Sequence, residues 1–472
     1  MGSQHVVARS HAMESLYQDN AVMSPRIGLL TAIASLLVVV LICGTPIRGK
    51  AQSQGQWRDA PGHEQLLPES ANGWEPALAV GPDGEVLVVA GKRTVASEGE
   101  GFEQRLVVWR SLDAGQSFEG PWPITTDGSH WDQRISIDRH NAVYVSYFDP
   151  SAGSDRLRLA RSYDGGRTFT VDIIPGALVS DKPELAVSAD GTHLYIVYES
   201  PAGPALIAAL NDGGLRWDEP RVVVEGAGRH FWPEVLDLAP DGSIWFAVPS
   251  MSVADINARR KTPVDLHVLR SDDGARSWHD FDFGTSPRLV GECPHEQTCP
   301  GVKGPRVSLG VDDAGAVYVA YTEAQAPTEP YALFVRSTHD AGRTWSQARQ
   351  ISAAARRRTD DLADYDFPMV AASSDGQVCI VWVDDRRGAL NVWTRCSNDG
   401  AESWGPEFIL SDRADGAPYK SAAGFAAVYG HYGDAVIGPH GRLYAVWGAG
   451  ERGYETGGVW FNSIDVKQAT AR

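Results

Sequence analysis

The chain has 472 residues and a formal net charge of -18 at neutral pH. Such an acidic balance argues against nucleic acid and anionic membrane surfaces as partners, because both are negatively charged and would repel the protein.

An N-terminal leader, residues 1–51, is the first element along the chain. It contains an apolar run over residues 27–44, which is about the minimum length that spans a membrane, and Arg26 precedes this run. Gly49 and Ala51 are placed like a cleavage site, so the leader is predicted to be either a signal peptide, with Met23 as an alternative start, or a retained membrane anchor. Both alternatives predict an extracytoplasmic protein, secreted or membrane-anchored.

Residues 52–63 are predicted to be a linker, residues 64–466 a repeated β structure, and residues 467–472 a tail. Within the repeated part, seven segments combine an apolar strand, a polar turn and a second strand rich in Val, Tyr and Trp. This pattern is typical of β-hairpins. The segments run from "PALAVGPDGEVLVVA" near the start to "DAVIGPHGRLYAVWG" near the end.

A second motif follows six of the seven hairpins. An aspartate opens a glycine-containing turn and an aromatic residue stands five positions later, as in "RSYDGGRTFT". The aspartates are Asp113, Asp164, Asp212, Asp273, Asp340 and Asp399, and the aromatic residues are Phe118, Phe169, Trp217, Trp278, Trp345 and Trp404. A seventh copy begins at Ser463 and Asp465, but the end of the chain cuts it short.

The chemistry of this motif favours a structural role. An aspartate at the head of a turn accepts hydrogen bonds from backbone N–H groups up to three residues on, and glycine supplies backbone angles that other residues avoid. Burial of the aromatic ring contributes roughly 2–3 kcal/mol. We therefore interpret the six turns as structural, with contact between one of them and a ligand as the alternative.

Repeated units of four short strands predict an all-β fold: a single β-propeller of four-stranded antiparallel blades, with the aspartate turns on one face. Seven blades are favoured and six are the alternative, since an extra hairpin can be mistaken for a blade. The seventh unit has no fourth strand of its own. The segment "EQLLP" at residues 64–68 is a candidate to supply it and close the ring.

The cysteines agree with export. Cys293 and Cys299 lie in one short loop, and Cys379 and Cys396 lie on adjacent predicted strands of the sixth unit. Two local disulfide bonds are the natural interpretation in an oxidising compartment. His295 allows a metal-site alternative in the loop, although two ligands from one short loop make a weak site. No metal site or cofactor is expected, and a structural calcium ion is compatible with the fold but not indicated.

The aspartate turns resemble the Asp-box repeats, or bacterial neuraminidase repeats, of the sialidase superfamily. The resemblance covers nearly the whole chain after residue 60, and it implies a sialidase, another glycoside hydrolase or a propeller without known chemistry. In similar sialidases an arginine of the first blade grips the substrate carboxylate. Glu75 stands at the matching place in "GWEPALAV". Because a carboxylate there would repel the substrate, sialic acid cleavage is not expected.

Tracing the chain through one blade places the short turns on one face and the long, varied loops on the other, where binding is expected. The first residues of the innermost strands ring the channel mouth on that second face. The candidate ligand-binding residues there are Glu75, Arg134, Asp181, Lys182, His230, Trp232, Arg306 and Tyr365. They can hydrogen-bond sugar hydroxyls and stack on sugar faces. Alternatively, their charges simply pair with one another around a water-filled mouth.

Three functions are open on the sequence alone. The first is a hydrolase of extracellular glycans that uses Glu234 with Asp366 or Asp434 as acid and base, with Tyr432 as a further catalytic candidate. The second is a noncatalytic module that binds polysaccharide or protein. The third is an exo-α-sialidase whose arginine site is rebuilt on other strands. The predicted partner is a glycan or cell-surface ligand, and the chain is expected to be a monomer.

Overall fold

Seven sheets follow one another around a ring in the computed structural model, and each is built on four antiparallel strands. The structure describes residues 58–60, 62–95, 102–126, 128–150, 156–211, 216–258, 263–285, 306–324, 331–352, 366–412, 416–429, 433–451 and 456–471. The innermost strands of adjacent sheets contact one another. The fold is therefore a seven-bladed β-propeller, which confirms the favoured blade count.

Two short strands, β1 (Arg58–Asp59) and β2 (Gln65–Leu66), precede the first blade. Blade I contains β3 (Gly73–Val80), β4 (Val86–Val95), β5 (Phe102–Ser111) and β6 (Glu119–Pro123). Blade II contains β7 (Trp131–Ile137), β8 (Val143–Asp149), β9 (Arg156–Ser162) and β10 (Thr170–Leu178). Blade III contains β11 (Asp181–Val187), β12 (Leu194–Glu199), β13 (Ala205–Asn211), β14 (Arg216–Trp217) and β15 (Arg221–Val224).

Blade IV contains β16 (Arg229–Phe231), β17 (Val235–Leu238), β18 (Ile244–Ser252), β19 (Asp265–Ser271) and β20 (His279–Thr285), with helix α1 (Val253–Asn257) after β18. Blade V contains β21 (Val307–Val311), β22 (Val317–Ala324), β23 (Tyr331–Thr338) and β24 (Arg349–Gln350). Blade VI contains β25 (Asp366–Ser373), a 3-10 turn (Ser374–Gly376), β26 (Gln377–Asp384), β27 (Asn391–Ser397) and β28 (Phe408–Ile409). A hairpin of β29 (Lys420–Ser421) and β30 (Gly424–Phe425) precedes blade VII, which contains β31 (Ala427–Val428), β32 (Asp434–Gly438), β33 (Arg442–Gly450) and β34 (Gly457–Asp465).

The N-terminal strands complete the last two blades. Strand β2 pairs antiparallel with β34, Gln65 opposite Phe461, so the predicted closing strand is present. Strand β1 pairs in parallel with β28 of blade VI, Arg58 opposite Phe408. Because the outer edge of each of these blades is covered by chain from the other end of the sequence, the ring is closed by β pairing rather than by loop contacts alone.

The hydrophobic core is divided into seven clusters, one between each pair of adjacent blades. At six of these interfaces, an aromatic residue of an aspartate turn packs between its own blade and the preceding one. These residues are Phe118, Phe169, Trp217, Trp278, Trp345 and Trp404.

The interface between blades VI and VII is filled differently. Asp465, where the seventh turn is cut short, accepts hydrogen bonds from the backbone N–H groups of Lys467 and Gln468. It thereby caps a short helix, α2 (Val466–Thr470). Val466 and Ala469 of this helix are fully buried in the cluster between the two blades. The helix therefore fills the space that an aromatic residue fills elsewhere.

Five of the six predicted aspartate turns are described, and they share one hydrogen-bond pattern. In the first, the Asp113 carboxylate accepts hydrogen bonds from the hydroxyl of Ser111 at 2.8 Å and from the N–H and hydroxyl of Ser117 at 2.8 and 2.6 Å. The turns of Asp164, Asp273, Asp340 and Asp399 repeat it. Asp212 lies outside the described residues. The bonds from Thr168 and Thr344 lower the pKa of Asp164 and Asp340 to about 2.

Cys379 and Cys396 form a disulfide bond with an S–S distance of 2.03 Å, which confirms that prediction. The two cysteines are directly opposite each other on β26 and β27. Cys293 and Cys299 lie outside the described residues. Among the residues that the structure describes, no helix has the length and apolar character needed to cross a membrane. The apolar run over residues 27–44 lies outside that part of the chain.

Candidate functional site at the channel mouth

The innermost strands of five blades begin with the same β-bulge. In blade I, Trp74 pairs with Gly91 and Leu78 pairs with Val88, so four steps along β3 oppose three along β4. The same excess occurs at the start of the innermost strand in blades II, III, IV and VI. We call the extra residues the bulge residues: Glu75, Asp132, Lys182, Trp232 and Phe367. An extra residue bends its strand and re-aims the neighbouring side chains.

The backbone at four of the bulge residues is left-handed, with φ of 51° at Glu75, 53° at Asp132, 46° at Lys182 and 53° at Phe367. Residues other than glycine rarely adopt this backbone conformation, which costs on the order of 1–3 kcal/mol and occurs in tight turns and at functional sites. A proline follows the bulge residue in four of the five blades, and Gln133 follows it in blade II. Because proline has no N–H group to donate to the ladder, it helps to interrupt the pairing there.

Charged side chains near the start of the innermost strands join adjacent blades. Arg134 of blade II donates hydrogen bonds to both carboxylate oxygens of Glu184 of blade III, at 2.7–2.9 Å. Glu234 of blade IV binds Lys182 of blade III at 3.2 Å and Arg306 of blade V at 2.5 Å. We call these five residues the inner ion pairs. Their side chains are only 2–15% exposed, so the pairs link four blades in a largely desolvated layer.

The two carboxyl groups of the inner ion pairs differ in their tendency to ionise. Burial opposes ionisation of Glu234, but the positive charges of Arg306 and Lys182 outweigh it and lower the pKa of this carboxyl below its usual value. Burial raises the pKa of Glu184 to about 7, although Arg134 acts in the opposite direction. Glu234 is therefore the firmly ionised carboxylate of this layer.

A second group of titratable side chains lies at the ends of β11 and β12. Asp181 and Glu199 are opposite each other in the strand register, and Oε1 of Glu199 is 3.5 Å from Nδ1 of His230. Burial and the negative charge of Asp132 raise the pKa of Asp181 well above its usual value, and burial with the same neighbour raises the pKa of Glu199 to about 8. Burial lowers the pKa of His230. At neutral pH this group therefore holds a protonated Glu199 beside a neutral imidazole.

Aromatic rings lie beside both groups. The ring centre of Trp232 is 5.5 Å from both Nζ of Lys182 and Cζ of Arg306, and the His230 ring meets the same indole edge-on at 5.9 Å. Between blades I and II, the Arg93 guanidinium is 3.9 Å from the centre of Trp74. These rings supply apolar faces of the size of a sugar ring next to hydrogen-bonding groups.

The structure brings together six of the predicted ligand-binding residues and one predicted catalytic residue. Arg134, Lys182, Arg306 and Glu234 belong to the inner ion pairs, Asp181 and His230 lie with Glu199, and Trp232 contacts both groups. The sequence-based prediction that mouth charges pair with one another describes the first group well.

The other predicted residues are placed separately. The Asp434 carboxylate accepts hydrogen bonds from the backbone N–H of Leu78 at 3.0 Å and of Ala435 at 2.8 Å, so it joins blade VII to blade I. Glu75 is 2% exposed, and its carbonyl oxygen accepts a hydrogen bond from Nε2 of Gln133. Asp366 begins β25, but its side chain is outside the described part, as are Tyr365 and Tyr432. The proposed pairing of Glu234 with Asp366 or Asp434 stays a prediction.

Two functional candidates were missed in the sequence. Glu199 ends the second strand of a hairpin, and counting the register back from the turn places it opposite Lys182; the bulge at Lys182 shifts the pairing by one residue and brings it opposite Asp181. Glu184 carries no local signal of its role, because nothing in the neighbouring residues shows that Arg134 lies across the blade boundary. In the part of the chain that the structure describes, no group of three or more His, Cys, Asp and Glu side chains is arranged to hold a metal ion.

No family model matches the chain, and no curated protein matches it. Solved structures do match it. A polysaccharide lyase described as an ulvan lyase is 11% identical, with a TM-score of 0.51 over 87% of this chain and 100% of that chain. A sialidase from Streptococcus pneumoniae is 12% identical, with a TM-score of 0.43 over 86% of this chain and 70% of that chain. An α-L-arabinanase from Penicillium chrysogenum is 13% identical, with a TM-score of 0.41 over 70% of this chain and 93% of that chain. At these identities the likeness shows the fold alone.

Proposed function

We propose that the protein is an exported β-propeller that hydrolyses extracellular glycans at its channel mouth. The observation that carries this proposal is the contrast between carboxyl groups at the mouth: burial keeps Glu199 protonated, while two cations keep Glu234 ionised. Glycoside hydrolysis uses such a contrast, because one carboxylic acid protonates the leaving oxygen and a carboxylate stabilises or attacks the sugar cation. The matched structure with a TM-score of 0.51 is described as a polysaccharide lyase, which is consistent with a glycan as the ligand.

In this proposal Glu199 donates the proton. Its carboxyl lies at the end of β12, and His230, uncharged at neutral pH, lies 3.5 Å away. Lys182 and Arg306 keep the Glu234 carboxylate ionised, so it stays negatively charged throughout the reaction and does not take up a proton. Trp232 contacts both groups and supplies a face on which a sugar ring can stack.

Export is part of the proposal. The disulfide bond between Cys379 and Cys396 is compatible with an oxidising compartment, as is the apolar leader. Free thiols at these positions in protein purified from its native host would argue against export. Non-reducing mass mapping of the peptides makes this comparison.

The experiment is a panel of chromogenic glycosides and polysaccharides incubated with the purified protein and with two variants. We expect Glu199→Gln to lose about 10²-fold or more of the rate, since general acid catalysis contributes that much. We expect the wild-type rate to fall as the pH rises through about 8, where Glu199 loses its proton. Asp237→Asn is the matched control, because it removes another buried acid of raised pKa whose carboxylate accepts backbone hydrogen bonds away from Glu199. An unchanged rate in Glu199→Gln would contradict the proposed role.

A noncatalytic glycan-binding module is the second candidate, and one observation favours it. Both oxygens of Glu234 are engaged by cations, and the Asp434 carboxylate is engaged by two backbone N–H groups. Carboxylates held in this way are poor nucleophiles or bases. Glycan binding on an array, without hydrolysis of the bound glycan and with binding retained in Glu199→Gln, would select this function over the hydrolase.

A further inference from the structure

The cations at the start of the innermost strands are already matched with carboxylates. Arg134 donates hydrogen bonds to Glu184 from Nε and Nη2. Lys182 donates to Oε2 of Glu234, and Arg306 donates to Oε1. Arg229, which begins β16, pairs with Asp265. The lysine and arginine heads of the inner ion pairs are 2–15% exposed, so these are desolvated contacts rather than surface pairs that salt would screen.

An anionic sugar would have to compete for these cations. To bind Lys182 or Arg306 it must either lie beside the Glu234 carboxylate, which repels it, or displace that carboxylate. Displacement leaves a charge that is 12% exposed without its counterions, and an uncompensated buried charge costs more than one new ion pair returns. The net charge of -18 adds a general repulsion of anions at a distance.

An uncharged sugar meets no such penalty. Hydroxyl groups both donate and accept hydrogen bonds and carry no charge, so they can approach the paired cations and carboxylates without separating any ion pair. The centre of the Trp232 ring is 5.5 Å from both cations that bind Glu234, and this ring can contact the apolar face of the same sugar.

We propose that the channel mouth selects uncharged sugars and rejects sialic acids, uronic acids and sulfated sugars, and that the inner ion pairs are the residues that set this selectivity. The inference rests on the proposed function, since it names the class of glycan that the same site accepts. Glu234 acts here as a specificity residue that withholds two cations from an anionic ligand.

The test uses glycans in matched pairs that differ only in charge. Oligogalacturonates are compared with their carboxyl-reduced galactan counterparts, sialyllactose with lactose, and a sulfated oligosaccharide with its desulfated form. Binding to the purified full-length protein is measured by titration calorimetry at low and moderate ionic strength. We expect the neutral member of at least one pair to bind and its anionic partner to bind at least about tenfold more weakly.

Glu234→Gln is the deciding variant. It keeps the shape of the side chain but releases the charge of Lys182 and Arg306, so affinity for the anionic member should rise by about tenfold or more. Glu407→Gln is the matched control: Glu407 is also 12% exposed and pairs with Arg386 at 2.6 Å, but it lies beside the outermost strand of blade VI. It should leave the preference unchanged. Glu184→Gln, which releases Arg134, is the second variant if Glu234→Gln loses its fold by circular dichroism.

The outcomes separate the two proposals. Wild-type protein that prefers the anionic member of its pair would overturn the selectivity while leaving glycan binding intact. Variants of Glu234 and Glu184 that fold but gain no anion affinity would also overturn it. Failure of every glycan in the panel to bind would overturn the proposed function and this inference with it.

Discussion

Trp345 illustrates how single side chains hold this ring together. Its indole packs edge-on against Phe281 at 5.7 Å, Phe283 at 4.9 Å and Trp245 at 6.2 Å between ring centres. These three rings belong to blade IV, whereas Trp345 follows a turn of blade V. One aromatic side chain of blade V therefore packs against blade IV and stabilises the interface between the two sheets.

Trp345→Ala should destabilise the protein by about 3 kcal/mol, the lower end of the range for truncating a large ring, because it removes a partly buried indole from between two blades. The free energy of unfolding, measured with denaturant, checks this. Tyr163→Ala is the control, since Tyr163 also lies in an aspartate turn but is 74% exposed, and a change within about 0.5 kcal/mol is expected. Loss of ligand affinity in folded Trp345→Ala, without loss of stability, would contradict a structural role for the turns.

Glu75 leads to a prediction about activity. A sialidase-type site needs several arginines around the substrate carboxylate, and Glu75 replaces one of them by an acid according to the resemblance noted above. Of the remaining candidates, Arg134 is held by Glu184 and Arg306 by Glu234. We therefore expect no measurable cleavage of a fluorogenic sialoside by the purified protein. Cleavage that is lost in Arg134→Ala or Arg306→Ala would mean that these arginines form a working sialidase site.

At the scale of elements, the closing strand β2 is tied down by a buried ion pair. Glu64, which directly precedes β2, pairs with Lys420 of the β29–β30 hairpin, and both side chains are fully buried. The Lys420 ammonium also lies 4.2 Å from the centre of the Trp460 ring on β34. The strand that closes the ring, the hairpin before blade VII and blade VII itself thus meet at one desolvated contact.

Lys420→Met should destabilise the protein by about 3–5 kcal/mol, because it leaves the Glu64 carboxylate buried without its counterion. A double variant that also carries Glu64→Leu should recover most of this loss. The exposed pair Glu103 and Arg105 provides the comparison, and Arg105→Met should cost at most about 1 kcal/mol. Denaturant unfolding of the four proteins makes the comparison. Equal effects at the two sites would contradict a role for the buried pair in closure.

At the scale of the whole molecule, two sets of acids give stability an unusual pH dependence. In the aspartate turns, hydrogen bonds from Thr168 and Thr344 lower the pKa of Asp164 and Asp340 to about 2, below the unfolded value. Their stabilisation is present above about pH 4 and is lost as the pH falls toward about 2. Burial raises the pKa of Asp237 to about 6 and that of Glu199 to about 8, above the unfolded values. Their contribution is full below about pH 4 and is lost as the pH rises toward about 8.

The free energy of unfolding should therefore be greatest between about pH 4 and 5 and decline on both sides. Urea unfolding across the pH range measures this profile. Asp237→Asn should reduce the decline in stability between about pH 5 and 8 by roughly 1–3 kcal/mol, because the amide buries no charge as the pH rises. Its stability at about pH 5 should be lower than that of the wild type, because the amide oxygen can accept only one of the two backbone hydrogen bonds that Leu238 and Val311 donate to separate carboxylate oxygens. The shape of its acid limb should match that of the wild type. A maximum above about pH 7, or an Asp237→Asn variant whose stability declines at alkaline pH as steeply as that of the wild type, would contradict this account.

The amino-acid sequence by itself determined the features that depend on short spacings. Each hairpin and each aspartate turn is formed by residues that are close together in the sequence. Their regular repetition along the chain therefore predicted both the four-stranded blade and the number of blades. Cys379 and Cys396 could be paired because a hairpin register follows from its turn. The closing strand could be proposed because the seventh unit visibly lacked one.

Only the tertiary structure decided which charges meet. Lys182 and Glu234 are 52 residues apart, and Arg306 and Glu234 are 72 apart. Their contacts depend on the angle between packed sheets and on a bulge that adds one residue to an innermost strand, and neither follows from a local pattern. Similarly, the residues after Asp465 carry no aromatic plug, and only the packing shows that α2 fills the space between blades VI and VII instead. Local hydrogen bonding is encoded in neighbouring residues, while burial and the pKa shifts it causes arise only when distant strands are packed together.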